Sequence, residues 1–174
     1  MRKKPPHYHI KVVNIFIEVY AYIDPPLALS VRQENRHIAL TPTTLVSYIT
    51  ALCTSYSPNK LDAMLTSLKK LLSHKPCPDL SRPFAILAHA IHPDTTALVN
   101  VANQIITAYP VFSAFYFWII KLIHENLVGA AHDMWRNMVQ QYPPHTLSQV
   151  RYDALQLNSM CVYIISSYYY YSRS

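Results

Sequence analysis

Gly129 is the only glycine in 174 residues, where ordinary usage would supply about a dozen. Glycine provides positive-φ turns, phosphate-cradling loops and nucleophile elbows. A chain almost without it holds no P-loop, no dinucleotide-binding GxGxxG turn and no GxSxG elbow. Its 13 prolines tighten the constraint. Two-residue β-hairpin turns draw heavily on Asn-Gly, Asp-Gly or Gly-X pairs, so a hairpin-rich β fold is excluded and the all-α class remains. A chain of this length is one domain or one array with a core of its own.

Internal repetition organises that helical chain. Pro42, Pro76, Pro110 and Pro144 recur at a constant step of 34 residues. Ala63, Ala97 and Ala131 keep the same step, with Leu29 in the equivalent place of the first unit. Leu52, Ile86 and Ile120 form an apolar column, and Asp24, Pro58, His92 and Asn126 form a column of residues that end or cap helices. Between these markers the apolar period is helical. It runs through Leu61, Met64, Leu65, Leu68, Leu71 and Leu72, through Leu98, Val101, Ile105 and Ala108, and through Ala131, Met134, Trp135 and Met138. Helix-length stretches over 45–56, 84–91 and 111–125 precede these runs.

Each unit therefore reads as helix A, turn, helix B and a proline stop, over 12–42, 43–76, 77–110 and 111–144. Thr43, Thr44, Ser81, Asp94 and Thr95 stand where N-caps are needed. A hairpin this short does not bury its apolar face alone, so neighbours must stack. The expected architecture is a right-handed α-solenoid of about four 34-residue repeats, with a capping helix and a tyrosine-rich tail over 145–174. The segment 111–125 is apolar nearly all round and is expected to be packed on several sides. Gly129, at the start of a helix B, is expected to admit a bulky neighbour.

Charge is sparse at 14 % and unbalanced at +6. That balance suits an anionic partner. Much of the excess lies in residues 1–11, where Arg2, Lys3, Lys4 and Lys11 meet no acid before Glu18. That segment reads either as a mitochondrial targeting sequence or as a solvated basic tail. The longest apolar runs, 12–23 and 111–120, are interrupted by Asn14 and Glu18 or ended by Lys121. Both are shorter than the roughly 20 residues a membrane span needs, so no span is expected. Cys53, Cys77 and Cys161 are odd in number and form no CxxC pair, which favours free thiols.

The stretch 115–146, FYFWIIKLIHENLVGAAHDMWRNMVQQYPPHT, resembles a pentatricopeptide repeat. That repeat has an aromatic-led helix A, a breaker, an A-x-x-x-F-x-x-M pattern on helix B and a following proline. Phe115, Asn126 (where the family usually has glycine), Ala131, Trp135, Met138 and Pro144 hold those places. Tetratricopeptide repeats are the competing resemblance: the step of 34 matches their period more closely, and Ala51 and Ala85 stand where they place a small residue. The first resemblance implies a non-catalytic, organellar RNA-binding protein, such as a mitochondrial ribosome subunit or RNA-processing factor, with RNA and protein subunits of a larger complex as partners. The second implies a protein-binding scaffold without RNA contact.

Positions that pentatricopeptide repeats use to read bases fall here on Ile15, Ile49, Pro83 and Phe117, and on Thr44, Pro78, Phe112 and Thr146. The first set has no side-chain group to hydrogen-bond a base edge and the second is half polar. One residue before the first set, Asn14, Tyr48, Arg82 and Tyr116 form a polar or aromatic column able to stack on unpaired bases without sequence preference. Lys69, Lys70 and Arg136, with Lys60, Lys75 and Arg36, are the candidate phosphate contacts. His89 and His92 share a helical face at i, i+3 without a third ligand nearby in sequence, and His124-Glu125 lacks the second histidine of HExxH. The acids are scattered singly, so no paired-carboxylate chemistry is indicated. No enzyme activity, small-molecule substrate, metal or other cofactor is expected.

Overall fold

The computed structural model describes residues 7–142, and within them every regular element is helical. The capping helix expected after Thr146, the tyrosine tail, Cys161 and most of the basic N-terminal segment lie outside the described residues. The chain divides into two compact units, Met1–His92 and Pro93–Ser174. The division falls in the turn of the third expected repeat. The first unit holds α1 (His7–Ile23), α2 (Pro25–Glu34), α3 (Pro42–Thr54), a 3-10 turn (Pro58–Lys60), α4 (Leu61–Leu72) and α5 (Ser81–Ile91). The second holds α6 (Thr95–Ala108), α7 (Phe112–His124) and α8 (Val128–Gln141).

Capping chemistry explains where several of these helices begin. The Asp24 carboxylate accepts from the Leu27 N–H at 3.2 Å, with Pro25 opening α2 behind it. Asp94 accepts from the Ala97 N–H at 2.9 Å at the start of α6, as expected. At α3 the cap is Thr41, whose hydroxyl accepts from the Thr44 N–H at 3.1 Å. Thr43 and Thr44, expected as caps, are helical residues instead. The reason is Pro42: its fixed φ and missing N–H suit the first helical position, so it starts α3 rather than stopping α2. Ser81 is likewise the first residue of α5, and its N–H and hydroxyl are held by the Asp79 carboxylate.

Asn126 ends α7 in the left-handed region, at φ 58°. Its N–H donates to the Ile123 carbonyl at 3.0 Å and the Leu127 N–H donates to the Leu122 carbonyl at 2.9 Å. Those paired bonds define a Schellman closure, with asparagine in the place glycine usually takes. Gly129, by contrast, is exposed, and a Cβ built on it would meet nothing within 4 Å. The close approach expected there is absent because α8 turns that position to solvent.

In the first unit α3 is the central helix, packed against α1, α2, α4 and α5. Its buried residues run from Thr44 and Leu45 through Ile49, Ala51, Leu52 and Cys53. Ala21, Ala28 and Ala51 form a small-residue cluster from α1, α2 and α3. Val13, Ile17 and Ile38 form a second cluster, against which Tyr48 packs. The Thr44 hydroxyl donates to the Glu18 carboxylate at 2.5 Å, tying the start of α3 to α1. In the second unit α7 buries Ala114, Phe115, Trp118, Ile119 and Leu122 and packs on α6 and α8. The multi-sided packing expected of this segment is therefore present. The Tyr142 hydroxyl donates to the Pro110 carbonyl at 2.8 Å, and its ring meets Phe112 and Phe115 edge-on.

Candidate nucleic-acid interface

Where α2, α3 and α4 meet, an open groove of about 620 Å³ is lined by Arg32, Arg36, Lys60 and Lys70, with Tyr48 on the α3 side. Asp62 is the acid on that lining. Four cations against one carboxylate make the groove electropositive.

The four cations are not equivalent. Arg32 donates from Nη1 to the carbonyls of Asn35 at 3.0 Å and Ile38 at 2.8 Å, closing the connection after α2. Burial lowers its pKa, and the guanidinium remains a cation all the same. Lys60 donates to the Ser55 carbonyl at 2.7 Å, fastening the turn at the end of α3. Arg36 and Lys70 are exposed, and their charged heads make no hydrogen bond or ion pair among the described residues. Two cations thus build the groove and two are presented by it.

Tyr48 is half-buried. Desolvation raises its phenol pKa, opposed by the charges of Arg32 and Arg36, so it is a neutral donor and acceptor at physiological pH. A groove of this composition suits phosphodiester oxygens, which accept from cations and a phenol without presenting base identity.

The remaining candidates are spread over both units. Lys69 is exposed on α4 but does not line the groove. Arg82 is exposed near the start of α5, with its guanidinium 5.8 Å from the centre of the Tyr22 ring. Tyr116, 40 % exposed on α7, and Arg136, exposed on α8, belong to the second unit. Asn14 is the misplaced member of the column: it is only 6 % exposed, and its Nδ2 donates inward to the Ala39 carbonyl at 3.4 Å. An amide enclosed by packing does not present itself to a base. The sequence marks Arg32 only by its spacing of four from Arg36.

Among the described residues no three His, Cys, Asp or Glu side chains are grouped to hold a metal ion. No described helix is long and apolar enough to cross a membrane. The fold and groove define a helical protein with a basic concavity. Compared with known proteins, the chain matches no protein-family model, no curated protein and no solved structure.

Proposed function

We propose that the chain is a non-catalytic helical-repeat protein, a right-handed solenoid of about four hairpins, that holds the backbone of single-stranded RNA within a mitochondrial RNA-protein assembly. The observation that carries this reading is the groove between α2, α3 and α4, where Arg36 and Lys70 present charge beside Tyr48. Support for the repeat architecture comes from the side-by-side packing of α1, α3 and α5 in the first unit. Further support comes from Asp24, Pro58, His92 and Asn126, each of which lies at a turn between helices. The organellar assignment follows the resemblance of 115–146 to pentatricopeptide repeats.

RNA binding here is sequence-tolerant, because phosphates rather than base edges are contacted. Replacing both Arg36 and Lys70 with glutamate is expected to weaken binding of a single-stranded oligonucleotide by tenfold or more, at unchanged helix content. Both side chains are exposed, so the fold tolerates the change. Equal losses on uridine and adenosine homopolymers accompany this mode. Affinity that survives the double substitution would return the chain to the protein-scaffold reading.

A further inference from the structure

The groove between α2, α3 and α4 offers more than charge. Leu45, Tyr48 and Leu52 follow one another at three and four residues along α3, share one helical face and form its floor. Both leucines are only 3 % exposed. Tyr48 is held from the core side by the cluster of Val13, Ile17 and Ile38, and its uncovered part lines the groove. Its hydroxyl has no hydrogen-bond partner among the described residues. On the α4 wall, the lining between Lys60 and Lys70 includes the short side chains of Ala63, Thr66 and Ser67, which leave the space over the floor open. A phosphate uses the cations of such a groove. Leucine and tyrosine surface gains nothing from a phosphate; it is served by a flat apolar group that leaves water there, such as the face of a base.

Given an RNA backbone in the groove, as proposed above, we infer that one unstacked nucleotide of the strand is seated there, its base on the α3 floor against Tyr48 and its adjoining phosphates on Arg36 and Lys70. Three observations select that occupant. An apolar floor and cationic walls share one concavity, which is complementary to a unit carrying a flat ring and an anion a few bonds apart. The volume of about 620 Å³ lies in the range that takes one small molecule. The groove is also open, which suits a ring stacking on one face and not an acyl chain, whose burial needs enclosure on all sides. Because the core cluster already fixes Tyr48, its ring loses little freedom on binding. The face of a base carries no sequence identity, so the seat accepts any of the four.

Competition for a labelled single-stranded adenosine oligonucleotide on the full chain tests the seat. The competitors are the unlabelled adenosine strand and an abasic ribose-phosphate strand of equal length and charge. The abasic strand is expected to bind about tenfold more weakly, as loss of one stacked base does. Tyr48→Leu keeps an apolar side chain on the core cluster and removes the ring; it should close that gap to about twofold by weakening the adenosine strand alone. Tyr48→Phe should leave the gap in place. Circular dichroism checks the fold of each variant, and if Tyr48→Leu loses helix content the comparison of the two strands on the native chain decides. Equal affinity of the native chain for both strands overturns the base seat and leaves backbone binding standing. A gap that survives Tyr48→Leu in a folded variant does the same. Failure of both strands to bind overturns the backbone reading and the seat together. Displacement of the strand by adenosine monophosphate at equal concentration would give the seat to a free nucleotide and overturn its assignment to RNA.

Discussion

Cys53 lies in α3 with its sulfur 3.6 Å from that of Met64, and burial pushes its thiol pKa up from 9.0 to about 12. The native state therefore keeps a proton that the unfolded chain releases. Where the unfolded state binds fewer protons, unfolding becomes easier as pH rises. The stabilising contribution of the neutral thiol is fully present below pH 9.0 and is lost on approaching about 12. Denaturant titrations across that range should show stability falling less steeply in Cys53→Ala than in the native chain; parallel curves would contradict the assignment. Asn126 supports a second prediction. At φ 58° a Cβ without a local polar group is strained, so Asn126→Ala is expected to cost about 1 kcal/mol while Asn126→Gly is neutral or stabilising. Thermal unfolding of the pair reads the difference.

Elements were largely legible because their signals are local. Apolar residues three and four apart in 95–108 pack inward in α6, and Met64, Leu68 and Leu71 do so in α4, while Leu61 and Leu65 are half-buried and Leu72 stays 36 % exposed. Asp94 announced the start of α6 for the same reason. The 34-residue proline column predicts a helix end at Pro42, which instead begins α3, since proline is admissible in both places and only the Thr41 hydroxyl distinguishes them. The burial of Asn14 is not legible because helix periodicity gives a spacing but not which neighbours enclose a face. The role of Arg32, holding two carbonyls six residues or fewer away, is not legible in the sequence because it depends on how the chain turns after α2. Gly129 yields a prediction at this scale. With open space around it in the first turn of α8, Gly129→Ala should raise stability by about 0.5 kcal/mol through helix propensity. A loss of stability on thermal unfolding would mean the position is crowded after all.

For the molecule as a whole, the groove gathers cations from separate parts of the first unit: Arg32 from α2, Arg36 from the connection after it, Lys60 from the 3-10 turn and Lys70 from α4. Tyr48 and Lys70, expected from sequence as contacts of different kinds, line the same concavity, whereas Tyr116 and Arg136 belong to the other unit. Binding of a polyanion by such a cluster of cations releases counterions. The direct measurement is the affinity of the full chain for a single-stranded RNA homopolymer over a series of salt concentrations. The account predicts a linear fall of log affinity with log salt, at a slope of roughly −1.5 to −3 for two to four phosphates neutralised. It also predicts a shallower slope when Arg36 and Lys70 are replaced. A slope near zero, or one the double replacement leaves unchanged, contradicts RNA backbone binding in the groove.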